Sequence, residues 1–276
     1  VSRIHLQQSE AVVLRRHDYG EADRIFTLFT RERGKVRAIA KGVRRIASRK
    51  SGHLELFTRC RLLLARGRNL EVITQAETVD AYGPLREDLV RTAYAYHLAE
   101  LTDRLTADEN PGPAVFDLLT AMLDALTDAV EPGLVARYFE IRLLGLVGYR
   151  PQLFQCALCR QELLEEGNAF SPSAGGALCP DCVGRPGDAL PLDGAAFRVL
   201  RFLQTRDWSA AGALRLSPAT RGALERLTGA AVEQILERDL NSMGFLRSLR
   251  ASAAGLGLAG EPEAAAAERP ITAEPA

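Results

Sequence analysis

Between residues 9 and 80 the apolar positions fall into short runs parted by turn-prone pieces. The runs at 12–15, 24–30, 35–41, 53–64 and 70–79 are rich in Val, Ile, Leu, Thr and Phe. Asp18-Tyr19-Gly20, Glu32-Arg33-Gly34, the stretch 42–52 and Arg66-Gly67-Arg68-Asn69 separate them. Five strands without a helix in about seventy residues predict a small β-barrel, either an OB-fold or an SH3-like barrel; the spacing alone does not choose. In the third strand, alternation puts Lys35, Arg37, Ile39 and Lys41 on one face and Val36, Ala38 and Ala40 on the other. The small apolar set suits a barrel interior, so the three cations project together.

From Pro84 the period becomes helical. Tyr94, Leu98, Leu101 and Leu105 share one face, and Val115, Leu118, Leu119, Met122 and Leu126 repeat the stripe beyond Asn110-Pro111-Gly112-Pro113. A third helix follows Pro132-Gly133 and ends near Gly148, with Leu134, Tyr138 and Ile141 in its stripe. Further helices are expected at about 193–206, 217–228 and 230–251. Such stripes are the core-facing sides of a helical bundle. The Ala/Pro/Glu-biased segment from Ser252 is expected to be a mobile tail. No apolar run approaches the roughly 18 residues of a membrane span, and VSRIHLQQSE lacks the apolar region of a secretory signal. A cytoplasmic location is the expectation.

Charge changes the picture once it is split. Residues 1–80 carry 17 Lys+Arg against 9 Asp+Glu, and the remaining 196 carry 18 against 26, so a net charge of zero joins a +8 segment to a −8 one. From Arg31 to Arg68 thirteen basic residues, all three lysines among them, meet only Glu32 and Glu55. Cations that meet phosphates release condensed counterions, so this stretch favours nucleic acid without sequence preference. A merely solvated basic face is the plainer alternative. The candidate phosphate contacts are Lys35, Arg37, Lys41, Arg44, Arg45, Arg49 and Lys50, with Arg66 and Arg68 at the rim. Phe26, Phe29, Phe57 and Tyr19 are the aromatic candidates for base stacking, but Phe26 and Phe29 fall on opposite faces, so at least one belongs to the core.

Four of the five cysteines form two CxxC pairs, Cys156/Cys159 and Cys179/Cys182, with nineteen residues between. Each pair bends two thiolates onto one edge of a tetrahedron, and the loop lets the second pair close a four-cysteine site for one structural Zn2+. Four protein ligands leave no open position for water, which argues against metal-assisted hydrolysis. The deaminase pattern H-x-E…P-C-x-x-C is not met: His53-Leu54-Glu55 is present, but no proline precedes either CxxC. Cys60 reads as a small core hydrophobe, and His97 as a packing residue beside its stripe. GxxxxGK[ST] and GxSxG do not occur, and the GxGxxG at 255–260 lies in the expected tail with no strand before it, so no enzyme class is supported.

The block EAVVLRRHDYGEADRIFTLFTRERGKVRAIAKGVRR resembles the amino terminus of the RecO recombination-mediator family, and LLGLVGYRPQLFQCALC and FSPSAGGALCPDC resemble the segments around that family's zinc region. The resemblance runs from about residue 9 to 250, and the Arg- and Ala-rich composition is similar to that of Deinococcus-type members. It implies an OB-fold at 1–80, a helical domain in two parts at 81–150 and 191–251 and a zinc-binding region inserted at 151–190; the expected tail at 252–276 lies beyond it. It further implies a non-enzymatic, nucleoid-associated protein of DNA repair and recombination. Such a protein binds single- and double-stranded DNA and anneals complementary strands. With RecR it helps RecA load onto DNA coated by single-strand-binding protein. Arg137, Arg142, Arg198, Arg201 and Arg206 lie on helices that could receive an acidic peptide, although bundle-surface roles explain them more simply. A zinc-ribbon transcription or RNA-processing factor is the rival reading, since it would share the four-cysteine site and the basic barrel.

Overall fold

The computed structural model describes residues 6–236, 245, 246, 248 and 249. Strands β1 (Leu6–Tyr19), β2 (Asp23–Thr30), β3 (Gly34–Ala40), β4 (Arg59–Ala65) and β5 (Glu71–Asp80) close into a barrel in the order β1-β2-β3-β5-β4. Every pairing is antiparallel except β3 with β5, which run parallel at Ala38↔Glu71 and Ile39↔Val72. This crossover is the Greek-key closure of an OB-fold. The barrel core contains Val13, Phe26, Leu28, Ala38, Ala40, Leu62, Leu64 and Ile73, so β3 turns its small residues inward as its alternation predicts.

Two barrel elements differ from the sequence expectation. β1 begins at Leu6, because backbone pairing with β4 carries a stretch whose side chains, Gln7 and Gln8 among them, show little alternation. The run at 53–64 is not one strand. Residues Ser51–His53 form a 3-10 helix, Leu54 plugs the barrel, and Phe57 takes a left-handed φ of 68° before β4 starts at Arg59. Apolar residues that plug and cap give the same composition signal as residues in a ladder.

The helical region comprises α1 (Gly83–Glu87), α2 (Leu89–Leu105), α3 (Pro113–Asp128), α4 (Pro132–Leu146), α5 (Gly194–Thr205), α6 (Trp208–Ala211) and α7 (Pro218–Leu236). Asp88 caps α2 by accepting from the N–H groups of Val90 and Arg91 at 2.8 and 3.0 Å. α3 and α4 each carry proline in the first turn, where no N–H is needed. The predicted break before residue 230 is absent: α7 runs through Gly229, which is buried, and packing there outweighs glycine's poor propensity. Residues 237–244, 247, 250 and 251 of the last predicted helix, and the tail from Ser252, lie outside the described residues. The short strands β6 (Ala169–Ser171), β7 (Gly176–Leu178) and β8 (Leu190–Pro191) form a second sheet, of two to three residues per strand and too short to show a period.

The outer face of the barrel joins the helices' hydrophobic core, which is separate from the barrel interior. Val12, Leu14 and Phe29 point out of the barrel and are buried with Leu98, Leu101, Val115 and Phe116 of α2 and α3. The joint is tightest where the chain between α2 and α3 lies against the free start of β3. There Glu109 N–H donates to the Lys35 carbonyl at 2.9 Å, and a Cβ on Gly34 would stand 2.0 Å from the Asn110 carbonyl oxygen. Inside the bundle, Glu140 on α4 meets His97 Nε2 of α2 at 2.6 Å and Arg137 Nη2 at 2.8 Å, all three side chains being buried. Burial opposes the Glu140 charge, but Arg137 and the His97 hydrogen bond overcome it and hold the carboxyl below its ordinary range. A carboxylate only accepts, so His97 Nε2 carries the hydrogen.

Two outcomes follow from these contacts. Gly34→Ala meets both a left-handed φ of 68° and the Asn110 carbonyl, whereas Gly20→Ala meets only a φ of 58° in open space. Thermal melting should show Gly20→Ala costing about 1–2 kcal/mol and Gly34→Ala distinctly more. The depressed Glu140 pKa stabilises the fold above the ordinary carboxylate range, and that contribution disappears as pH falls through the folded-state value. Glu140→Gln strands the Arg137 cation and should cost about 3–5 kcal/mol at neutral pH, while flattening the acid limb of a urea-unfolding series.

Candidate nucleic-acid interface and metal centre

The outer face of β1, β2 and β3 is divided crosswise. At one end Val12 and Phe29 lie under the helices; at the other, the register aligns Arg15, Thr27 and Arg37 in one cross-strand row. Two open clefts meet at β3. One, of about 490 Å3, brings Arg37 together with Arg66 and Arg68; the other, of about 310 Å3, joins Arg37 to Arg15, Arg16 and His17. Lys35, Arg37 and Asp108 border both. Sequence reasoning passed over Arg15, Arg16 and His17. Their signal is the Arg-Arg-His run in β1, which acquires meaning only through the pairing register.

The nine sequence-predicted cations do not share one environment. Among the described residues, the side chains of Arg37, Lys41, Arg45, Arg49, Arg66 and Arg68 have no ion-pair or hydrogen-bond partner, and all six are exposed. Lys41, Arg45 and Arg49 belong to the β3–β4 connection, whose backbone is held by Arg44 N–H to the Ala22 carbonyl (2.9 Å) and Ser48 N–H to the Arg45 carbonyl (2.9 Å). Arg44 is partly engaged, 3.3 Å from Asp18. Lys50 reaches back to the Ile73 carbonyl at 3.0 Å, and burial pushes its pKa down. Lys35 is the most committed. Its ammonium donates to the carbonyls of Asp103 (2.6 Å) and Thr106 (2.9 Å) and lies 3.2 Å from Asp108, with 14% of the side chain exposed. It satisfies the carbonyl end of α2, where a cation is favoured by the helix dipole.

Of the aromatic candidates, Phe26 and Phe29 are both buried, one in the barrel and one at the joint. Phe57 is buried and packs edge-on against Tyr96 at 4.9 Å, while Tyr19 is exposed. His53 Nδ1 accepts from the Thr78 N–H at 3.3 Å and ties the 3-10 helix to β5. Cys60 is buried in the barrel, and burial pushes its thiol up to about 12, so it is inert. The helix arginines are mostly fold ties. Arg137 is buried on Glu140, Arg142 donates to the Gln204 carbonyl (2.8 Å), Arg198 pairs with Glu165 (3.0 Å), and Arg206 is exposed. Arg201 donates to the Leu153 carbonyl (2.7 Å) and stacks 4.0 Å from the Phe197 ring centroid.

The four thiols of Cys156, Cys159, Cys179 and Cys182 converge, every sulfur within 4.8 Å of the others, and Cys159 Sγ lies 3.6 Å from Cys179 Sγ. A tetrahedral ion at about 2.3 Å from each sulfur requires an S–S edge of about 3.8 Å, so the quartet fits a metal ion. The backbone prepares it. Gln152 pairs with Gly176, where a Cβ would stand 2.3 Å from the Gln152 oxygen, and Cys182 N–H donates to the Cys179 carbonyl at 2.9 Å. Burial works against a Cys156 thiolate, but N–H groups of Cys159, Cys179 and Leu158 outweigh it and draw its pKa down to about 6. Burial and the neighbouring sulfurs push Cys182 up to about 12. Four sulfurs this close ionise together only around a cation.

A closed OB-fold with a bared cationic edge, fused to a helical domain that carries a four-cysteine cluster able to hold a metal ion, defines a nucleic-acid-metabolism class of protein. The sequence places it further. Residues 4–82 match the family model "Recombination protein O N terminal", and residues 86–244 match "Recombination protein O C terminal". The chain is 46% identical over 248 residues to the DNA repair protein RecO of Roseiflexus sp. (strain RS-1), covering 90% of this chain and 87% of that one. It is 40% identical to the RecO of Moorella thermoacetica (88% and 91% covered) and 35% identical to that of Dehalococcoides mccartyi strain 195 (90% and 98% covered). The chain belongs to the RecO family of DNA repair proteins.

Elemental analysis of the reduced protein should give one metal per chain. Chelation, or Cys156→Ser, should lower the melting temperature and leave the barrel cation face intact; metal-free reduced protein with unchanged melting would contradict the site.

Proposed function

We propose that this chain is a non-enzymatic recombination mediator that binds single- and double-stranded DNA through the barrel and anneals complementary strands. The observation that carries the reading is the set of six exposed cations, Arg37, Lys41, Arg45, Arg49, Arg66 and Arg68, which have no side-chain partner among the described residues, on a barrel whose outer face is covered by the helical domain at Val12, Leu14 and Phe29. Annealing needs no proton transfer: two polyanions must be held close while their repulsion is neutralised. The exposed row formed by Arg15 and Arg37, with the clefts on either side of β3, offers a surface of that kind. Lys35 and Lys50 serve mainly to hold the barrel edge in shape.

The metal is Zn2+ in a structural role, since four thiolates suit that ion and leave no open coordination position. RecR, single-strand-binding protein and, through them, RecA are the partners that family membership suggests. A nucleoid-associated, cytoplasmic location accords with such work.

Salt dependence tests the DNA reading. Six neutralised phosphates give a slope of log K against log[salt] near −4 for single strands, at about −0.7 per contact. Arg37→Ala should reduce that slope by about 0.7 and leave melting unchanged. Lys35→Ala should do the reverse, lowering the melting temperature with little change in slope. A flat salt response, or a strong preference for RNA over both DNA forms, would overturn the reading. Annealing of complementary strands coated by single-strand-binding protein, with and without RecR, tests the mediator step.

A further inference from the structure

Seven cations and four carboxylates line the two clefts that meet at β3. The carboxylates are of two kinds. Asp103 and Glu71, with 14% and 19% of their side chains exposed, are the largely buried partners of Lys35 and Arg33. Asp108 and Glu109 are 68% and 74% exposed and stand at the mouth. Asp108 borders both clefts, so a strand that passes from Arg15 over Arg37 toward Arg66 and Arg68 crosses it.

Their position is enforced rather than incidental. The segment 108–110 pairs with β3 at Lys35, Gly34 lacks the Cβ that would strike Asn110, and Glu109 is held in the left-handed region at φ 51°. A non-glycine residue is kept there only when its surroundings over-determine it. The fold ties would survive loss of either exposed charge. Lys35 would keep the Asp103 and Thr106 carbonyls and the Asp103 carboxylate, and Arg33 would keep Glu71.

We propose that the segment joining α2 to α3 is an electronegative lip, in which Asp108 and Glu109 lie across the nucleic-acid path and hold its affinity for polyphosphate down. The inference rests on the DNA-binding reading above. A mediator must let a strand go once it is paired, and two carboxylates beside the phosphate path hasten release without removing any cation that captures the strand.

The test compares parent protein, Asp108→Asn, Glu109→Gln, the double variant and, as a distant charge control, Glu165→Gln, by fluorescence anisotropy with a short single-stranded DNA of mixed sequence. At low salt the double variant should bind about three- to tenfold tighter and release the strand correspondingly more slowly after a competitor chase. The gap should close at high salt, as screening requires. Glu165→Gln should match the parent. The inference is overturned if the double variant melts like the parent yet binds no tighter, or if Glu165→Gln tightens binding equally. Should Asp108→Asn impair folding, Glu109→Gln alone decides, because among the described residues its side chain meets only Arg33, which retains Glu71: tighter binding supports the lip and unchanged binding sinks it. A parent protein that binds no DNA fails the broader reading instead.

Discussion

Burial of the outer barrel face at Val12, Leu14 and Phe29 is the constraint on which the rest of the structure depends. A small barrel has one interior and one exterior, and an ordinary OB-fold keeps its exterior wet. Here β1 and β2 are apolar on both faces over part of their length, because α2 and α3 lie on the outside. Removing three large side chains from water at one end fixes where the helices sit. It also fixes which end of the β1–β2–β3 face stays open. The row of Arg15, Thr27 and Arg37 begins where the apolar cover stops.

That boundary sorts the cations. Lys35, in the same register row as Phe29, falls under the edge of the helical domain and is drawn into the carbonyl end of α2. Arg37, two residues on, falls beyond it and is free. Both side chains leave the same strand face, so the difference is tertiary. The salt bridges along the joint, Arg15 with Asp103 and Arg33 with Glu109, are exposed enough to be worth little individually. The apolar contact and the backbone pairing at Lys35 carry the joint, and the charges mainly tune what a polyanion meets there.

What the sequence made legible follows the range of each signal. The inward set of β3, the prolines that open α3 and α4, and the cysteine quartet are local patterns, and each stands where the pattern puts it. Signals that depend on pairing register or on a distant partner were not readable. The alternation of Lys35 and Arg37 is the same in sequence, yet only the fold separates anchor from free cation. Arg137 looks like a surface residue until α2 brings His97 onto its neighbour Glu140 and the three side chains are buried together. β6 and β7 are three residues long, and their pairing is a consequence of the cysteine loops rather than of any strand propensity.

The metal centre completes the same division. Its loops lie between α4 and α5, and α5 reaches them through Arg201, which donates to the Leu153 and Leu163 carbonyls and stacks on Phe197. Burial lowers the pKa of that guanidinium, so its charge is retained against a desolvation cost and is committed to holding the loops. A cation committed in this way is a poor phosphate ligand. The thiol quartet and Arg201 therefore form one structural inlay: a metal held by the four sulfurs would fix the loops from within, and the arginine fixes them to the bundle. That inlay is continuous with the barrel cover through packing alone: α5 lies on α4, and α4 lies on α2 and α3.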